Sequence, residues 1–236
     1  MQTSNFSSYE DACVFAADIF ASQLQKKPAS VLGLATGSTP LGVYDKLASY
    51  FTAGKTDFSS AFTINLDEYC GLKSDHPQSY HFYMKKNLFS RVNLKPENTF
   101  LPDGNATDFL KECKRYDKLI DTLGGIDLQL LGIGLNGHIA FNEPDSVFRE
   151  NTHVVKLSDS TVKANSRFFT SENQVPSHAI TMGIGQIMNS RHIIIMACGK
   201  AKVSILMKAL SSPVTPLLPA SVLQLHPDLT VICTAD

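Results

Sequence analysis

The sequence offers little to a charged or membrane-bound partner. Across 236 residues, 21 Lys and Arg stand against 22 Asp and Glu, a formal net charge of -1. A balance this even leaves no general basic field to hold nucleic acid or anionic lipid, although a local anion site is compatible with it. The longest strongly apolar run, Ile193–Cys198, is far too short to span a bilayer. Residues 1–11 are polar and lack the basic start and apolar stretch of a secretory signal. Cys13, Cys70, Cys113, Cys198 and Cys233 are odd in number, scattered and without a CxxC pair, which argues against a disulfide framework or a structural zinc site. There is no internal repeat, low-complexity tract or obvious linker. What remains reads as a reduced, soluble, cytoplasmic protein. Its hydrophobic fraction of 43% and charged fraction of 18% suffice for one well-packed domain.

Short apolar runs alternate with amphipathic stretches. Val31–Ala35, Phe62–Leu66, Leu128–Gly132, His192–Cys198 and Leu229–Thr234 read as strands. Helices are expected from Ser7, where Ser7-Ser8-Tyr9-Glu10 has the form of a capping box, and over Pro40–Tyr50, Ser79–Phe89, Ala106–Leu123 and Lys200–Leu210. For the second helix Thr39 is the expected N-cap, with Pro40 at the first helical position. Strand, loop, helix, strand is the order of an α/β fold with a mostly parallel sheet and helices on both faces. Ligands of such folds sit beyond the carboxyl ends of the strands, so the loops after the strands are where chemistry is expected.

Three of those loops stand out. Thr36-Gly37-Ser38-Thr39 joins a strand to a helix start. Its glycine permits a tight turn, its hydroxyls donate, and a helix N-terminus aims N–H groups and a positive dipole end at the same spot. That suits a phosphate, though the same residues would serve a plain capped turn. The second loop opens with Asp67-Glu68-Tyr69. A carboxylate in that place can move a proton at carbon, or simply act as a local cap. The third runs from Gly132 to Pro144 and holds Asn136, His138 and Glu143. Its opening matches GxGxxG, but it lies past mid-chain and Pro144 leaves no room for a crossover helix, so a dinucleotide fold is rejected. The glycines read instead as room for backbone to approach a small ligand. An imidazole moves protons near neutral pH, Glu143 can fix its tautomer, and Asn136 can orient either partner.

Two basic residues are candidates for the anion. Arg167 precedes Phe168 and Phe169, and Lys202 comes after Gly199 in the turn beyond a strand, repeating the strand–glycine–helix order of the first loop. A planar guanidinium and a point-charge ammonium together can clamp one phosphate. His76 and His81 are five apart across Pro77, not the helical spacing of a metal pair. With no matching acidic or cysteine cluster, no metal site is assigned.

These stretches resemble glucosamine-6-phosphate deaminases. The resemblance rests on Leu34–Pro40, Asn65–Tyr69, Gly137–Pro144, Asn165–Phe169 and Gln224–Pro227. They occur in the family's order across nearly the whole chain, so residues 1–236 are expected to form one domain of this type. The resemblance implies a Rossmann-like fold and conversion of glucosamine 6-phosphate and water to fructose 6-phosphate and ammonia, without organic cofactor or metal. Carried over by motif, His138 assists sugar-ring opening with support from Glu143. Asp67 takes the proton at C2 and returns it at C1. Thr36, Gly37, Ser38, Thr39, Arg167 and Lys202 hold the phosphate. The sister 6-phosphogluconolactonases share the Gly-His pair but differ after it, so a lactone hydrolase is the alternative. A non-catalytic sugar-phosphate sensor is disfavoured by the presence of proton-transfer groups.

The chain departs from the resemblance in two places. Many relatives carry an acid at the position of Asn136, and an amide exchanges no proton, so here it is expected only to orient His138. Allosteric hexameric relatives carry a basic residue at the position of His153 and a longer C-terminal tail. The expectation is therefore a non-allosteric enzyme and a monomer, with a homo-oligomer as the alternative. The segment after Pro144, from 145 to about 163, is a candidate mobile cover.

Overall fold

The short apolar runs become the inner strands of a parallel sheet. The computed structural model describes residues 1–166, 169 and 174–235. In chain order the elements are β1 (Gln2–Phe6), α1 (Tyr9–Lys26), β2 (Val31–Leu34), α2 (Leu41–Thr52), β3 (Phe62–Asn65), β4 (Asp67–Tyr69), α3 (Tyr80–Asn87), β5 (Thr99–Phe100) and α4 (Phe109–Thr122). Beyond them lie β6 (Leu128–Gly132), β7 (His153–Lys156), α5 (Asp159–Asn165), β8 (His178–Thr181), α6 (Ile184–Met188), β9 (His192–Cys198), α7 (Lys200–Ser211) and β10 (Leu229–Thr234), with a 3-10 stretch at Pro219–Leu225 before the last strand.

Seven strands form the main sheet in the order β1-β10-β9-β6-β2-β3-β5, every neighbouring pair parallel. Consecutive residues of β2 and β10 are all buried, as are Ile193–Ala197 of β9. A strand with both alternating faces buried must be covered on both sides, so the sheet lies between helices as the apolar runs predict. Burial of each aliphatic side chain there contributes about 1.5–3 kcal/mol. A second, three-stranded antiparallel sheet, β4-β8-β7, stands beside it and has no counterpart in the apolar pattern of the sequence.

Local chemistry sets the helix starts. Ser8, not Ser7, caps α1: its hydroxyl accepts from Asp11 N at 3.1 Å. Asp108 caps α4, so that helix begins at Phe109 rather than Ala106. The expected Thr39 cap of α2 is absent. Pro40 takes the cap position without a side-chain bond, and the Tyr9 hydroxyl from α1 accepts from Gly42 N at 2.9 Å instead. Strand β1 is likewise additional to the expected elements. It is an edge strand with mostly exposed, polar residues and pairs only with β10 among the described residues, so it lacks the apolar alternation that marks a strand. The expected cover at 145–163 contains β7 and much of α5.

Candidate active site

Strand order reverses between β2 and β6. From β2 the chain builds outward through β3 to β5, and from β6 the other way through β9 and β10. The loops after β2 and β6 therefore diverge and leave a crevice at the carboxyl edge. A cavity of about 470 Å³ opens there. Thr36, Gly37, Ser38 and Thr39 line one part of it, Asn136 and His138 another, and Asp67 and Lys202 complete the wall. Groups spread from residue 36 to residue 202 thus share one hollow.

The loop after β2 is held from behind. Gly37 has φ 90°, a left-handed conformation that glycine adopts without strain. The Tyr83 hydroxyl donates to Gly37 O at 2.6 Å, and the Tyr9 hydroxyl to Thr39 O at 2.9 Å. With the carbonyls tied back, the N–H groups of Gly37, Ser38 and Thr39 have no acceptor among the described residues. Unpaired, converging N–H groups at a helix start are the makings of an anion cradle. Lys202 lies in the first turn of α7, not in the turn before it. Its ammonium donates at 3.1 Å to Oγ1 of Thr39, a residue that stands one position before the Pro40 cap of α2. Gly199, just before α7, has φ 89°, so the geometry of the first loop is repeated. Arg167 lies outside the described residues.

Asp67 opens β4 and pairs with Thr181 of β8. It is 6% exposed, and no hydrogen bond reaches its carboxyl group among the described residues. Burial, with a smaller push from the Glu68 carboxylate, raises it from the ordinary value of 3.8 to about 8. Glu68 has a different task. Its Oε1 accepts from Tyr69 N at 2.8 Å and Tyr80 N at 2.9 Å, and its Oε2 from His81 N at 3.0 Å. It thereby satisfies the N-terminus of α3 beside the Ser79 cap. Of the two adjacent acids, one caps a helix and the other faces the cavity. The His81 ring sits 2.9 Å from Glu68 Oε2, and no cluster of three or more His, Cys, Asp or Glu suited to a metal occurs among the described residues.

The loop after β6 folds back on itself, with Gly134 N donating to His138 O at 2.9 Å. A Cβ on Gly134 would stand 2.2 Å from the His138 ring. The space a side chain would take at Gly134 is filled by the imidazole, and Gly132 and Gly134 both line the cavity. Asn136 Nδ2 donates to Glu143 Oε2 at 2.6 Å, and its Oδ1 accepts from His138 N at 3.2 Å. It therefore fixes both partners. His138 Nδ1 is 3.6 Å from Glu143 Oε2, a close charge contact but too long for a hydrogen bond, and that ring nitrogen has no other partner among the described residues. Burial alone would raise the Glu143 carboxyl group. The neighbouring imidazole and the Thr161 and Asn136 donors outweigh it and bring the group down to about 2. Glu143 lines a second cavity of about 310 Å³, while its neighbours Asn136, His138 and Thr161 line the main one.

Two contributors had no signal in the sequence. Tyr80 lines the cavity, stacked on Phe141 with ring centroids 6.1 Å apart. Thr161 of α5 also lines it and donates to Glu143 Oε1. Neither belongs to a motif, and the second contact spans 18 residues.

A parallel sheet with unpaired loop amides, a buried carboxyl group and an imidazole in one carboxyl-edge cavity has the makings of an α/β enzyme of acid–base chemistry. Comparison with known proteins narrows the class. A family model described as glucosamine-6-phosphate isomerases/6-phosphogluconolactonase matches residues 6–232, and the chain belongs to that family. It is 55% identical to a glucosamine-6-phosphate deaminase of Lachnoclostridium phytofermentans over 99% of both chains. It is 52% identical to the enzyme of that name from Geobacillus, covering 97% of this chain and 91% of that one. A solved structure described as a monomeric glucosamine-6-phosphate deaminase superimposes with a TM-score of 0.97 at 46% identity, over 99% of this chain and 97% of that one. The 6-phosphogluconolactonase of Thermotoga maritima matches at 22% identity with a TM-score of 0.78, over 99% of this chain and 98% of that one, which is a likeness of fold.

Proposed function

We propose that this chain converts glucosamine 6-phosphate and water to fructose 6-phosphate and ammonia. The carrying observation is that Asp67 and His138 line one cavity with the Thr36–Thr39 cradle. In this reading the loop amides, Lys202 and Arg167 hold the phosphate, and the distant anchor places the sugar's reactive carbons between carboxyl and imidazole. His138 moves a proton from the anomeric hydroxyl to the ring oxygen, which opens the ring, while Glu143 stabilises the imidazolium formed on the way. Asp67 then takes the proton from C2, the C2–H electron pair forms the C1–C2 double bond, and a proton passes from the C2 ammonium to the C1 oxygen, giving a neutral enolamine. Return of the proton to C1 leaves a C2 iminium. Water adds at C2, the C–N bond breaks, and ammonia departs as the C2 ketone forms. A base must be ionised to act, and the positive charge of the substrate's C2 ammonium beside Asp67 favours its carboxylate over its protonated form.

The same reading makes the segment 145–163 a cover that closes over bound sugar, with Thr161 as part of the wall it presents. It also takes the enzyme to be cytoplasmic and, by its likeness to the monomeric deaminase structure, monomeric. The test is direct: purified protein is given glucosamine 6-phosphate, and ammonia and fructose 6-phosphate are monitored together. Equal release of both supports the proposal. Absence of ammonia, with hydrolysis of 6-phosphogluconolactone in its place, sinks it.

A further inference from the structure

Glu143 can support His138 only while one of its oxygens faces the ring, and a carboxylate on a Glu side chain is free to turn about its last bond unless something holds it. Oε2, the oxygen 3.6 Å from His138 Nδ1, accepts a hydrogen bond only from Asn136 among the described residues. Oε1 is gripped from α5. The Thr161 hydroxyl donates to it, and Ser158 Oγ lies within 3.2 Å of it. A hydroxyl has one hydrogen to give. Since Thr161 gives its hydrogen to Glu143, its oxygen is open to accept, and Ser158 Oγ stands 3.0 Å away. Ser158 in turn is the N-cap of α5 and accepts from Thr161 N at 3.2 Å. The Ser158 hydroxyl has both Thr161 Oγ1 and Glu143 Oε1 within reach, so two hydroxyls at the start of α5 brace one oxygen of a buried anion. Thr161 is 5% exposed, so water does not readily replace it there.

We infer that Thr161 is a positioning residue for ring opening: its hydroxyl locks the Glu143 carboxylate with Oε2 turned toward His138 Nδ1. The inference rests on the proposed deaminase reading and assigns to α5 a share in the proton-transfer geometry. Without the hydroxyl the carboxylate loses a charge-assisted bond and its fixed rotation, and the imidazole loses an aligned partner when it becomes charged. Losing one aligned donor to a charge of this kind lowers turnover by about 10- to 100-fold. Binding of an already open sugar chain does not need that alignment.

The experiment compares wild type, Thr161→Val and Thr161→Ser. Steady-state kcat and KM are measured on glucosamine 6-phosphate by ammonia release, and Kd is measured for the open-chain analogue 2-amino-2-deoxyglucitol 6-phosphate. The expected result is a kcat for Thr161→Val lower by about 10- to 100-fold. KM and the analogue Kd stay within about threefold, and Thr161→Ser regains most of the loss because it restores the donor. A Thr161→Val kcat within about twofold of wild type overturns the inference while leaving the deaminase reading intact. So does an analogue Kd that weakens in step with kcat, or a Ser variant as impaired as the Val variant, since either marks a structural role. A wild-type protein that releases no ammonia overturns the deaminase reading, and this inference with it.

Discussion

Replacing Asp67 with asparagine separates what the carboxyl group does for the reaction from what it costs the fold. Asp67 is 6% exposed, with a buried acid as its chain neighbour. Its folded-state value of about 8 stands against an ordinary 3.8. A group whose value is raised on folding binds its proton more tightly in the native state. Its contribution to stability is therefore fully present below pH 4 and is lost as the pH climbs toward 8. At about 1.4 kcal/mol per pH unit the ceiling is about 6 kcal/mol, and water entering the open cavity brings a realistic figure to about 2–3 kcal/mol. Asparagine copies the shape of the neutral acid and has no charge to desolvate. Urea unfolding at pH 4, 6 and 8 is the assay. Asp67→Asn should match the wild type at pH 4 and be more stable by about 2–3 kcal/mol at pH 8, while kcat falls by about 10²–10⁴-fold. A variant no more stable than wild type at pH 8 would refute the reasoning, because it would mean that the native carboxylate is compensated after all.

Three further outcomes are expected from the geometry. His138→Gln keeps the fold but offers no exchangeable proton, and kcat should drop by about 10²–10⁴-fold in the ammonia assay. Gly134→Ala places a methyl group 2.2 Å from the imidazole. It should cost about 1–3 kcal/mol in denaturant unfolding, as overpacking does, and lower kcat because the ring must move. Tyr9→Phe removes the donor to Thr39 O and the acceptor for Gly42 N. It should raise KM several-fold with a smaller change in kcat, and thermal melts should show a loss of about 1–2 kcal/mol.

Legibility in the sequence tracks burial. β6, β9 and β10 fall on their expected residues because strands covered on both faces must be apolar along their length, and such runs are visible in one dimension. β1 is hidden by its exposed edge. β4, β7 and β8 are short, carry charged or polar residues, and exist only because segments far apart in the chain pair. The site is readable where one residue carries both turn and chemistry, as in the Thr36–Thr39 loop, Asp67 and the Asn136-His138-Glu143 cluster. It is unreadable where a contact spans the fold. Thr39 answers to Lys202 and not to its own helix, over 163 residues, and nothing about Ser158 or Thr161 in sequence announces the carboxylate they hold. The loop glycines show the same limit: that an imidazole fills the space beside Gly134 depends on how the loop doubles back.

The two tyrosines behind the first loop have a thermodynamic consequence. Because Tyr9 and Tyr83 pin its carbonyls from α1 and α3, the amide dipoles are oriented when the chain folds, before any anion arrives. The entropy of arranging them falls on folding, so association is spared that part of its ordering cost. Substitutions in the packing of those two helices, far from any contact with a ligand, should therefore show up as changes in affinity.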